Sequence, residues 1–154
     1  MQQADHGRAA AGGAPGAGEP LGLSHITLIV SDLDRTQEML EQVFEARCLY
    51  RSDGQTFSLS EERFFDIGGT WLAIMKGDPL PARSYNHVAF RIREDEFETR
   101  RARIEALGLE LRAPRPRIPG EGRSLYFHGP DDHLFELHTG TLAERLAAYE
   151  SAAR

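Results

Sequence analysis

The chain contains the same short signature twice. Ser24-His25-Ile26-Thr27-Leu28-Ile29-Val30 resembles Asn86-His87-Val88-Ala89-Phe90-Arg91-Ile92: a polar residue, a histidine, then a strand rich in β-branched or aromatic side chains. A repeat of this kind means one supersecondary unit used twice, each copy needing the other to bury its apolar face. Each signature leads into an amphipathic helix. The first carries Met39, Leu40, Val43 and Phe44 at helical spacing, with Ser31 and Asp32 as candidate N-caps. The second carries Phe97, Ile104 and Leu107 and stops at Gly108. Strand-like segments follow at Arg47 to Arg51, Arg63 to Ile67 and Trp71 to Lys76, and again at Leu109 to Ala113, Ser124 to His128 and His133 to Thr139. The order is βαβββ twice, over about 21–78 and 83–141, joined by Pro79-Leu80-Pro81 and followed by a helix after 141. That is an α+β architecture of two sheets, each with one covering helix. Two copies with a histidine at matching strand starts predict a pseudo-symmetric cleft. The short linker leaves open whether the halves pair within one chain or across a dimer.

Composition narrows the function. The 154 residues carry a formal charge of −6, which argues against a nucleic-acid partner, because phosphates need clustered Lys and Arg. No apolar run approaches the roughly 20 residues that span a bilayer. Cys48 is the only cysteine, so an intrachain disulfide and a thiolate metal cluster are both excluded. This suits a reducing compartment, and a cytoplasmic protein is expected. Nothing near Cys48 in sequence would lower its pKa, so it reads as core-facing or inert. Between Ala9 and Pro20 only Glu19 is not Ala, Gly or Pro. Such a stretch is too weakly apolar for a signal peptide and too poor in side chains to offset its ordering entropy. Residues 1–20, His6 included, read as a flexible tail, and 21–154 as the folded domain.

Among the histidines, His25 and His87 stand at equivalent repeat positions. His133, after an Asp-rich turn, reads as turn-stabilising. Strand alternation puts Leu134, Glu136 and His138 on one face and Phe135, Leu137 and Thr139 on the other. Glu136 therefore sits among apolar neighbours, where an unpaired carboxylate is costly. A metal would relieve that cost; so would an ion pair with one of the chain's many arginines. His25, His87 and Glu136 make a two-histidine, one-carboxylate set that leaves coordination positions open, as catalytic metals require. Mn²⁺, Fe²⁺, Co²⁺ and Zn²⁺ all suit nitrogen and oxygen ligands, and affinity order does not choose among them.

Further motifs carry a family resemblance. Gly22-Leu23-Ser24-His25 with Thr27, Ser84-Tyr85-Asn86-His87, and Glu136 to Leu142 with Arg145 resemble the vicinal oxygen chelate (glyoxalase) superfamily, in its fosfomycin resistance branch. Pro114 to Phe127 and Phe57 to Phe65 resemble the FosX type, whose members hydrolyse the fosfomycin epoxide with Mn²⁺. The resemblance covers about Leu21 to Arg145 and implies a paired βαβββ fold completed across a domain-exchanged homodimer. It implies that His25, His87 and Glu136 hold Mn(II) or another divalent metal, which acts on the epoxide as a Lewis acid. It implies that Glu62 is the general base; spacing alone reads Glu62 as a solvated loop carboxylate beside Glu61. Thr27, Ser124, Tyr126 and Arg145 match phosphonate contacts, although Arg145 also fits a cation on an exposed helix. Arg117 lies where the related transferases place a cation. The loop departs from the potassium-binding pattern of the glutathione-using relatives, so neither potassium nor a thiol is expected. The competing readings are a thiol transferase on the same epoxide, an Fe²⁺ dioxygenase using the same ligands, and a metal-free drug-binding protein.

Overall fold

The computed structural model describes residues 16–154; residues 1–15, with most of the expected tail and His6, lie outside the described residues. Both repeats form as read. The first comprises β1 (His25–Val30), α1 (Leu33–Phe44), β2 (Arg47–Arg51), β3 (Glu62–Ile67) and β4 (Thr70–Lys76). The second comprises β5 (His87–Arg91), a 3-10 turn at Glu94–Glu96, α2 (Phe97–Ala106), β6 (Leu111–Arg112), β7 (Ser124–His128) and β8 (Leu134–His138), and α3 (Leu142–Ala152) closes the chain. The sheets are ordered β1-β4-β3-β2 and β5-β8-β7-β6, so the two copies share one topology. In each, the histidine-bearing strand is an edge strand paired in parallel with the last strand of its unit, and the other pairings are antiparallel.

The two copies share a single core. Leu40, Val43, Phe65, Leu72 and Ile74 of the first pack with Ile104, Phe127, Phe135 and Leu137 of the second. Phe44, at the end of α1, reaches the second sheet directly, with ring centroids 5.2 Å from Phe90 and 5.4 Å from Phe135. Polar ties cross the same seam. Buried Asp131 accepts from the Ser31 amide and hydroxyl, and buried Arg100 donates to the Val43 carbonyl at the end of α1. Because the helices fill the space between the sheets, the opposite sheet faces, which carry the histidines, point outward. No helix among the described residues is long and apolar enough to cross a membrane.

Several local readings are corrected. Asp32, not Ser31, caps α1, accepting from the Arg35 amide, because the Ser31 hydroxyl is taken by Asp131. The strand expected over Leu109 to Ala113 shrinks to two residues. The Leu109 amide closes the end of α2 on the Ile104 carbonyl, past Gly108 at φ +65°, and Pro114 has no amide to extend the ladder. The His133 ring does not stabilise its own turn; its Nε2 meets the Ile29 carbonyl of the other copy at 2.8 Å.

Candidate active site

The second sheet builds most of a polar centre. Register pairs Ala89 with Glu136 and Glu136 with Tyr126, and sets Arg91, His138 and Ser124 in the adjacent row. Cross-strand partners share a face, so Glu136, Tyr126, Ser124, His138 and His87 all project from the outward side. Glu136 is only 4% exposed. Its Oε1 accepts from the Ser124 hydroxyl at 2.5 Å and from Arg117 Nη2 at 3.4 Å. Its Oε2 faces His87 Nε2 at 3.0 Å. Burial pushes the Glu136 carboxyl up, but the hydrogen bonds from the Ser124 and Tyr126 hydroxyls outweigh it and hold the group below its usual range. Burial and its Tyr85 and Glu136 neighbours push the Tyr126 phenol up, so it remains protonated.

The orientation of His87 is chemically specific. Its Nδ1 lies 2.7 Å from the Tyr85 carbonyl, which can only accept, so Nδ1 carries the proton. Nε2 then faces a carboxylate oxygen of Glu136. The 3.0 Å contact between Nε2 and the carboxylate needs positive charge, which a second ring proton or a metal cation would supply. A carbonyl-anchored imidazole beside a buried carboxylate is also how a metal-ligating histidine is oriented. The donor set therefore fits a divalent metal.

Arg117 and Arg145 bring positive charge to the same place. Arg117, from the loop before β7, donates Nη2 to Ser124 Oγ at 2.6 Å and to Tyr126 OH at 3.3 Å. Its Nε and Nη1 are buried with no protein partner, two donors facing no acceptor. Arg145 is half-buried rather than a plain surface cation, and its Nη2 lies 3.3 Å from His138 Nε2. Burial pushes the His138 pKa down, keeping the ring neutral. With only donors on Arg145, His138 Nε2 accepts, so Nδ1–H points to Ser124 Oγ at 2.7 Å. One chain of hydrogen bonds thus runs from Arg145 through His138 and Ser124 to Glu136. His138 was not among the site residues expected from sequence; strand alternation, which puts it on the face of Glu136, was the signal for it.

The first sheet contributes a separate set. His25, Thr27 and Ile29 align with Trp71, Ala73 and Met75 of β4, which align with Asp66, Phe64 and Glu62 of β3. His25 and Thr27 are exposed, and the His25 ring lies 4.3 Å from that of Trp71. Glu62 is not a solvated loop carboxylate: it opens β3, is 8% exposed, and shares the outward face with Thr27 and His25. Glu61 beside it is exposed. By register, Glu62 occupies the first-sheet equivalent of Ser124, Phe64 that of Tyr126, and Ala73 that of Glu136. Among the described residues, no three His, Cys, Asp or Glu side chains of one chain are close enough to hold an ion. His25 lies on one sheet, His87 and Glu136 on the other.

Residues 22–137 match the model of the Glyoxalase/Bleomycin resistance protein/Dioxygenase superfamily. The chain belongs to this superfamily. Within it, the chain is 58% identical over 126 residues to fosfomycin resistance protein FosX of Mesorhizobium japonicum, covering 82% of this chain and 91% of that one. A crystal structure of a FosX variant from Listeria monocytogenes, complexed with Mn(II) and 1S,2S-dihydroxypropylphosphonic acid, is 50% identical with a TM-score of 0.78. The superposition covers 85% of this chain and 99% of that one. A more distant superfamily relative, metallothiol transferase FosB of Shouchella clausii, is 37% identical over 86% of this chain and 89% of its own.

Proposed function

We propose that this protein is an Mn(II)-dependent hydrolase that adds water to the epoxide of fosfomycin and so confers resistance to it. The observation that carries this reading is the pairing, on one fold, of a His87–Glu136 centre whose donors fit a divalent cation with a buried carboxylate, Glu62, on the equivalent face of the other sheet. The FosX structure bound to Mn(II) and a diol phosphonate supports it, since that diol is what water and fosfomycin would give. When bound by His25, His87 and Glu136, the metal supplies Lewis acidity that stabilises the oxygen released on ring opening. The two free donors of Arg117, with Arg145, Thr27, Ser124 and Tyr126, hold the phosphonate by charge-assisted hydrogen bonds. Glu62 takes one proton from water as its oxygen bonds to a ring carbon. The carbon–oxygen bond of the ring breaks, its electron pair stays on the departing oxygen, and a proton taken up there completes the diol.

A thiol transferase is the competing reading that the FosB relative represents. A thiolate nucleophile needs no carboxylate base, and a buried Glu62 would repel it. Nor does the loop before β7 need potassium: its buried carboxylate, Glu121, is already met by Arg115 at 2.6 Å. The deciding experiment is ³¹P NMR of fosfomycin with the Mn(II)-loaded protein, in choline buffer lacking potassium and thiol. Complete conversion to the diol is expected; turnover only after glutathione is added would establish the transferase.

Because the outward faces of the two sheets point apart, the full ligand set is completed by a second copy of the chain. The first sheet offers a histidine and small Ala73, the second a histidine and Glu136, so unlike sheets are complementary. Exposed Ile29 and Trp71 on the outward face give the homodimer apolar area to bury. Mixing inactive His25→Ala protein with inactive Glu136→Ala protein is expected to restore one working site per heterodimer. Absence of recovery after demonstrated subunit exchange would place all three ligands in one chain.

A further inference from the structure

Arg117 is delivered to the site by residues 113–123, a segment that contains Pro114, Pro116 and Pro119 and makes no ladder of its own. Three prolines remove three amide donors, so ordinary backbone pairing cannot hold it in place. Glu121 does so instead. Its side chain is 1% exposed, yet its carboxylate is fully occupied. Arg115 donates at 2.6 and 3.3 Å, the Ile118 amide at 2.8 Å, and the Tyr149 hydroxyl of α3 at 3.0 Å. The Arg115 guanidinium, with the Ile118 amide, holds the Glu121 pKa down to about 2.

The backbone on either side is fitted to the same partner. A Cβ at Gly120, where φ is +93°, would lie 3.3 Å from the Ala148 methyl of α3. One at Gly122, φ +77°, would come within 2.7 Å of the Gly140 amide nitrogen, just ahead of the Thr141 cap of α3. The loop that carries Arg117 is therefore fastened to the helix that carries Arg145, through Glu121.

We propose that Glu121 is a positioning residue: bridging Arg115 and Tyr149, it sets the guanidinium of Arg117 against Ser124 and Tyr126 and fixes its place relative to Arg145, and so determines how tightly the site holds a phosphonate. This rests on the phosphonate-binding role given to Arg117 above. Glu121 itself touches no ligand; it acts through Arg117.

The test is a double-mutant cycle read by calorimetric titration of inorganic phosphate into the Mn(II)-loaded dimer, alongside KM and kcat for fosfomycin. A misplaced charge-assisted hydrogen bond is worth about 10- to 100-fold in affinity, so Glu121→Ala is expected to weaken phosphate binding and raise KM by that order. Mn(II) affinity is expected to change less than phosphate affinity, since Glu121 touches none of the three ligands and Arg117 meets Glu136 only at 3.4 Å. In the Arg117→Ala background, Glu121→Ala should cost almost nothing further. Glu121→Gln, which keeps an acceptor for Ile118 and Tyr149, should fall between wild type and Glu121→Ala. Tyr149→Phe removes one hydroxyl without a buried charge and keeps the test alive if the alanine variant does not fold; a rise in KM of about threefold or more is expected. A lowered melting temperature with unchanged phosphate affinity, or a full additional loss in the Arg117→Ala background, overturns the proposal. If wild-type protein binds phosphate but forms no diol, the hydrolase reading fails while the cycle still decides the role of Glu121.

Discussion

Glu62→Gln is expected to slow diol formation by about 10²- to 10⁴-fold, the range that general-base assistance contributes. Glutamine keeps the shape of the side chain but cannot accept a proton from water. Glu62 occupies the first position of β3, its amide bonded to the buried Ser52 hydroxyl at 3.0 Å, so the backbone there has no reason to move. Mn(II) affinity and phosphonate binding should therefore survive, and the loss should lie in kcat. Glu61→Gln is the matched control. Glu61 precedes the strand and is exposed, so its substitution should leave the rate near wild type. The measurement is ³¹P NMR turnover of both variants under saturating fosfomycin, with Mn(II) affinity determined for each. A normal rate for Glu62→Gln would remove the residue that most separates a hydrolase from a thiol transferase at this site.

Stripping divalent metal with EDTA is expected to abolish turnover, and Mn(II) to restore it more fully than Mg(II). The physical reason is the ligand set. The Tyr85 carbonyl holds His87 with its Nε2 facing Glu136, and imidazole nitrogen favours Mn(II) over the harder Mg(II). Without metal, Arg117 lies 3.4 Å from Glu136 Oε1 and helps to balance the buried carboxylate. Metal return should thus release Arg117 toward the phosphonate as well as organise the ligands. The check is turnover against added Mn(II) or Mg(II), with bound metal quantified in the same samples. Full activity in protein shown to be metal-free would overturn the assignment of His25, His87 and Glu136.

Much of this was legible in the chain because repeats and periodicity are local properties. The matching His25 and His87 strands, the helices ended by Phe44 and Gly108, and the face shared by Glu136 and His138 follow from spacing of two or of 3.6 residues. Less legible was anything that depends on the path of an irregular segment. Spacing made Glu62 a loop residue, one short of the strand expected from Arg63; its pairing with Met75 at the far end of the hairpin extends the strand to include it. Arg117 was singled out by family resemblance alone; its place beside Ser124, with two donors buried and unpaired, depends on the path of the loop that Glu121 clamps. Arg145 matched a phosphonate contact by resemblance but fitted an ordinary helix cation by spacing; the contact with His138 beneath it separates the two.

Repetition and alternation along the chain are enough to set two βαβββ units, the polar face of each strand, and the residue types available for a metal. Three-dimensional packing is what makes the helices of both units fill one core and turns the histidine-bearing faces outward. It parts His25 from His87 and Glu136 within a single chain. The reason is that burial of Phe44 against Phe90 and Phe135 rewards helix-side contact between the units, and no local pattern records which of two amphipathic faces will find its partner in the same chain.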